Sequence, residues 1–143
     1  MKNILIDLNV IIYTLNQSDY YLESAKIIDL CERKKLKGFV CGHEITTLSY
    51  FLFKKSISRI SNKKIISNIL DIFSIINTNE KIFREALLSD MSDYEDAVIE
   101  VSVFQNNIDF IITYNLKDFF NSRVKAMTPG EFLLEEYNEN GQR

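Results

Sequence analysis

Short apolar runs alternate along this chain with longer stretches of helical period. Runs at 3–7, 38–41, 73–77, 110–113 and, more weakly, 124–126 read as strands. Between them, apolar residues recurring every three or four positions predict helices at 20–35, 43–55, 62–72, 80–89, 93–106 and 129–137, with a short one after Asn9. Strands separated by helices build crossover units rather than hairpins. The predicted fold class is therefore α/β: a single three-layer domain whose central, mostly parallel sheet of about four or five strands is flanked by helices.

Two helix starts carry capping signals. Ser92 with Glu95 and Thr128 with Glu131 fit the capping box, in which a hydroxyl and a carboxylate satisfy amides that the first turn leaves unpaired. Pro129 falls at the first helical position, where its missing N–H costs nothing. With one proline and four glycines in the whole chain, few loops are expected to be long.

At 143 residues and 46% hydrophobic content, one core can be buried, and the predicted domain covers 1–137 with a flexible tail at 138–143. The longest apolar runs stop well short of the roughly 18 residues that cross a membrane. An acid at position 7 also interrupts any secretory leader. A soluble, cytoplasmic protein with no membrane partner is the expectation. Cys31, Cys41 and the sole histidine, His43, are too few and too irregularly spaced for a zinc site or a disulfide framework, so both cysteines are expected to be reduced and structural.

A net charge of −3 argues against broad electrostatic capture of nucleic acid, so any such contact must be local. One segment qualifies. Lys54, Lys55, Arg59, Lys63 and Lys64 fall within eleven residues that hold no acid, whereas 131–139 holds four acids and no base. The basic segment is a candidate RNA-binding surface, or else a solvated helix end and loop. Tyr20 and Tyr21 offer aromatic rings of the kind that stack on single strands, or that fill a core.

The chemistry lies in the carboxylates. In an open parallel sheet the functional crevice forms at the carboxyl ends of the strands, where residues distant in sequence meet. That rule selects Asp7 and Asn9 after the first strand, Glu44 in the helix after the second, and Asn115 and Asp118 after Thr113. Asp93, Asp96 and Glu100 share one helical face, bordering the apolar stripe of Tyr94, Ala97, Val98 and Val101. Of these, Asp93 serves equally as a first-turn acid, while Glu95 and Glu100 read as cap and surface. Asp109 precedes its strand and reads as a turn residue. Two unit charges 4 Å apart repel by about 4 kcal/mol at an effective dielectric of 20, so converging carboxylates call for protons or a cation. An all-oxygen set suits Mg²⁺ or Mn²⁺, and such a site favours phosphodiester hydrolysis.

The same residues carry a resemblance. Ile4-Leu-Ile-Asp-Leu-Asn-Val-Ile, Asp93-Tyr-Glu-Asp-Ala and Ile112-Thr-Tyr-Asn-Leu-Lys-Asp-Phe, in this order and spacing, are similar to the motifs of PIN domains, the fold of VapC-type toxin ribonucleases. The likeness runs from Asn3 to about Leu133. It implies a Mg²⁺-dependent (or Mn²⁺-dependent) endoribonuclease whose metal-site acids fall on Asp7, Asp96 and Asp118. Asn9 and Asn115 become polar neighbours, Thr113 their support, and Asp93 a second acid found in part of the family. A homodimer and an antitoxin protein are the implied partners, with RNA as substrate. One departure stands out: the family's glutamate in the helix after the second strand falls on Thr47, while Glu44 lies one turn earlier. Either Glu44 reaches the cluster or Thr47 holds a metal-bound water through its hydroxyl.

Three rivals follow from the same residues. A PIN fold that binds RNA or protein without cutting is left open by the displaced glutamate. A haloacid dehalogenase-like phosphatase is suggested by Asp7-Leu-Asn-Val, but Asn9 stands where its second aspartate is needed. A response-regulator receiver needs an acceptor aspartate after the third strand, where this chain has Thr78 and Asn79.

Overall fold

The structure, a computed structural model, describes residues 1–137; the tail predicted at 138–143 lies outside the described residues. Five strands, β1 (Asn3–Ile6), β2 (Lys37–Val40), β3 (Ser74–Ile75), β4 (Phe110–Ile112) and β5 (Lys125–Met127), form one sheet in the order β3-β2-β1-β4-β5. Every pairing is parallel. Among the described residues seven helices connect and cover them: α1 (Leu8–Asn16), α2 (Tyr21–Glu32), α3 (Gly42–Lys54), α4 (Arg59–Ile72), α5 (Glu80–Ala86), α6 (Tyr94–Gln105) and α7 (Pro129–Glu135). Among the described residues no helix is long and apolar enough to cross a membrane.

Alternation along the strands divides the core. Ile4, Ile6 and Ile112 point into a cluster with Val10, Ile27 and Leu48 from the helices of one face, while Leu5 and Ile111 meet Ile99 and Val103 of α6 on the other. Buried on both faces, β1 has no solvated side, which is why its sequence is an unbroken apolar run instead of an alternating one. At Gly38 the helix layer comes unusually close. A Cβ there would lie 2.7 Å from both Cys31 Sγ and Phe73 Cδ1, so the strand accepts no side chain at that position.

Several boundaries differ from expectation, each for a local reason. The first strand ends at Ile6, because Asp7 caps α1 by accepting the Leu8 amide at 2.9 Å; Asn9 consequently lies inside a helix. The fourth helix begins at Arg59, three residues earlier than its apolar period suggests, because Ser58 caps it through the Ser61 amide. The Thr128–Glu131 capping box forms, but the Ser92–Glu95 box does not: Asp93 is the cap of α6, accepting the Asp96 amide at 3.0 Å. Glu100, expected at the surface, is buried. It accepts from the Arg123 backbone N–H and side chain at 2.8–3.1 Å, so a cation removes the cost that would have kept it in water. Asp109 sits at the opposite end of the sheet from the other acids, accepting the Asn3 amide. Cys31 and Cys41 are both buried and unpaired.

Candidate active site

The carboxyl ends of β1, β2 and β4 gather the polar residues. Asp7 continues the ladder beyond β1 by donating its N–H to Ile112 O, so its side chain projects just outside the sheet. Its Oδ2 accepts from Thr113 Oγ1 at 2.8 Å and from Asn9 Nδ2 at 3.3 Å. Asn9 Nδ2 also reaches Thr113 Oγ1 at 3.3 Å, and its Oδ1 accepts the Tyr114 amide at 3.2 Å. The Asn115 N–H donates to Thr113 Oγ1 at 3.0 Å. Residues 7, 9, 113, 114 and 115 therefore form one hydrogen-bonded unit, and the fully buried Thr113 is its hub.

Glu44 is the acid that the fold commits most deeply. It lies in the first turn of α3, 2% exposed, with Oε1 accepting the Cys41 amide at 2.9 Å. Its Oε2 is buried and has no hydrogen-bond partner. Burial first, and then the charge of Asp7, holds the Glu44 carboxyl well above the usual glutamate range. Asp7 is raised as well, again chiefly by burial, although the Thr113 hydroxyl and the Leu8 amide oppose the shift. Thr47, the other occupant considered for the glutamate position, is exposed one turn farther along α3.

Asp96 joins from α6. Its carboxyl is pushed up to about 7, by burial first and then by the charges of Asp93, Asp7, Asp118 and Glu95. Asp118 is exposed on a 3₁₀ turn, Leu116–Phe119, that periodicity did not predict because four residues are too few to show a period. Its charge acts on both Asp7 and Asp96. Asp93 is exposed and caps α6, so it contributes charge at the rim.

Two contributors escaped the sequence reading. Glu95, expected only to cap a helix, adds its charge to Asp7, Glu44 and Asp96, and its Oε1 lies 3.3 Å from His43 Nε2 without hydrogen-bond alignment. Tyr114 stacks on Tyr13 with ring centroids 4.5 Å apart, and its hydroxyl meets Ser24 Oγ and donates to Tyr20 O. That contact fastens the site to Tyr20, whose φ of 66° puts a bulky residue in the left-handed region at the start of α2. Neither role has a motif; an alternation of acid and cap at 93–96 hides the first, and a single tyrosine carries no period for the second.

The basic segment is placed on two helices. Lys54 ends α3, Lys55 follows it, and Arg59, Lys63 and Lys64 lie on α4; all are exposed.

A divalent cation fits this donor set in kind, being all oxygen, with Glu44 Oε2 unpartnered on a carboxyl that feels the charge of Asp7. Among the described residues no three carboxyl, thiol or imidazole groups stand close enough to enclose an ion by themselves. An ion that keeps several waters, as Mg²⁺ does, matches so open a set.

The fold is similar to that of VapBC2 from Rickettsia felis, solved bound to a DNA fragment from their promoter: TM-score 0.64 at 18% identity, covering 87% of this chain and 97% of that one. No curated protein matches the chain. The model of the PIN domain matches residues 3–117, the span that runs from the first strand through Thr113 and Asn115 into the 3₁₀ turn. By that match, the chain belongs to the PIN domain family.

Proposed function

We propose that the chain is a Mg²⁺- or Mn²⁺-dependent endoribonuclease that hydrolyses RNA phosphodiester bonds at the Asp7–Glu44–Asp96–Asp118 pocket, acting as the toxin of a toxin–antitoxin pair. The observation that carries this reading is the buried Glu44, one oxygen unpartnered, under the charge of Asp7. Buried carboxyls whose ionisation is opposed by burial and by a neighbouring charge cluster at functional sites. Family membership and the VapBC2 likeness support the nuclease class and an antitoxin partner.

In this reading Asp7, Asp96 and Asp118 would hold the ion, with Glu44 in place of the family's displaced glutamate. A bound ion would lower the pKa of an attacking water and stabilise charge on the phosphoryl oxygens. Thr113 and Asn9 fix the Asp7 carboxylate, and Asn115 is held through Thr113. A carboxylate of the cluster left free of the ion would orient the water as base. Lys54, Lys55, Arg59, Lys63 and Lys64 supply a local cationic surface for RNA. A homodimer and a cytoplasmic location complete the proposal.

The test is cleavage of RNA with and without Mg²⁺, comparing wild type with Asp96→Asn. Loss of about 10²-fold or more in the variant, with no cleavage in chelator, is expected. RNA left intact by wild type in Mg²⁺ and in Mn²⁺ would leave a PIN-fold binding module instead.

A further inference from the structure

Helix α3 links the acid cluster to the basic segment, and its exposed side carries aromatic rings among its polar residues. Thr46, Thr47, Tyr50, Phe53 and Lys54 fall on it at spacings of three and four, with Tyr50 62% and Phe53 74% exposed. Lys54 Nζ lies 5.6 Å from the centre of the Tyr50 ring, and Lys55 Nζ 5.6 Å from that of Phe51. Two further apolar side chains, Ile57 and Ile60, are exposed where the chain turns into α4. Asn62 donates to Ser49 O at 3.2 Å and so ties the cations of α4 to this face.

We infer that this face is the track for single-stranded RNA: bases stack on Tyr50 and Phe53 while Lys54, Lys55, Arg59 and Lys63 take the phosphates. The inference rests on the nuclease reading of the acid cluster, and adds to it the surface along which the strand reaches that cluster. Three observations choose the occupant. Residues 54–64 carry five cations and no acid in a chain whose net charge is −3, so the face is complementary to a polyanion. The exposed Tyr50 ring with Lys54 over it, and the exposed Phe53 ring beside it, match the stacking platform and electrostatic funnel that bind single strands, because every base offers a π-face while a duplex hides its own. The length also fits. Glu44 and Lys54 are ten residues apart on one helix, about 15 Å at 1.5 Å per residue, or about four nucleotides stacked at ~3.4 Å.

The test measures binding without metal, so it does not depend on cleavage. Anisotropy of a labelled single strand of about 12 nucleotides, and of the matching RNA duplex, is read in chelator for wild type, Tyr50→Ser/Phe53→Ser and Lys54→Ser/Lys55→Ser. The aromatic pair should weaken single-strand binding about 10- to 100-fold with the salt dependence kept, and leave duplex binding as it was. The lysine pair should reduce the salt slope by about 1.4, from two phosphates lost at ~0.7 each. Both variants change exposed side chains, and unaltered thermal unfolding will establish that they fold. Unchanged single-strand affinity in the aromatic pair, or no single-strand binding by wild type, overturns the inference even if the pocket cuts RNA. A switch from dimer to monomer in sedimentation, with RNA affinity unchanged, overturns it in favour of an interface between copies. Wild type that binds as described but does not cut would sink the nuclease reading and leave the track standing.

Discussion

Asp96 shows how a single carboxyl reports on the whole pocket. Its pKa in the folded protein is about 7, against an ordinary value near 3.8, so the folded state holds a proton that the unfolded chain has given up. For a group raised in this way, the stabilising contribution is full below the unfolded value and is lost as pH rises through the folded one. Metal-free wild type should therefore lose thermal stability relative to Asp96→Asn between about pH 5 and about pH 8. Mg²⁺ should restore wild type at the upper pH and leave the variant unmoved, because the ion replaces the proton as counter-charge. Melting curves of the two proteins with chelator and with Mg²⁺ would measure this. A wild type equally stable with and without the ion at about pH 8 would contradict it.

At the scale of elements, the sheet was readable because β1, β2 and β4 send apolar side chains to both faces, and β1 and β4 are each followed by a polar residue that had to sit at the strand's end. The site was readable for the same reason: Asp7, Thr113 and Asn115 are placed by strand ends, and Asp96 by the apolar border of α6. What stayed hidden was tertiary. Glu100 needed Arg123, distant in sequence, to be buried, and Glu44 differs from a plain first-turn acid only in what packs over it. Gly38 is another such case, a residue in a short strand whose importance comes from Cys31 and Phe73 against it. Gly38→Ala should cost about 1–3 kcal/mol by overpacking, measured by urea unfolding, since neither a strand nor an aromatic ring can retreat far.

Across the molecule, charge is sorted by location. The acids of the pocket lie at the carboxyl edge of the sheet, and the cations of residues 54–64 extend from it along α3 and α4. On the far face, the Glu100–Arg123 pair locks α6 to the segment entering β5, with the guanidinium 3.9 Å from the centre of the Phe104 ring. Arg123→Ala should destabilise the fold by about 1–2 kcal/mol, because the buried carboxylate keeps only a backbone N–H while the half-exposed guanidinium it loses was partly screened by solvent. Glu100→Gln with Arg123→Ala should recover part of that loss, and a double variant no more stable than the single one would mean that the pair is not coupled.

The central strand has a further consequence for the way the chain is born. β1 is made before β4, one of its two neighbours, and Asp7 finds the Thr113 hydroxyl only at a separation of 106 positions. A nascent polypeptide thus emerges with its polar cluster in pieces, and the Asp7 carboxylate stays without its hydroxyl partner until the segment carrying Thr113 has been made and has folded.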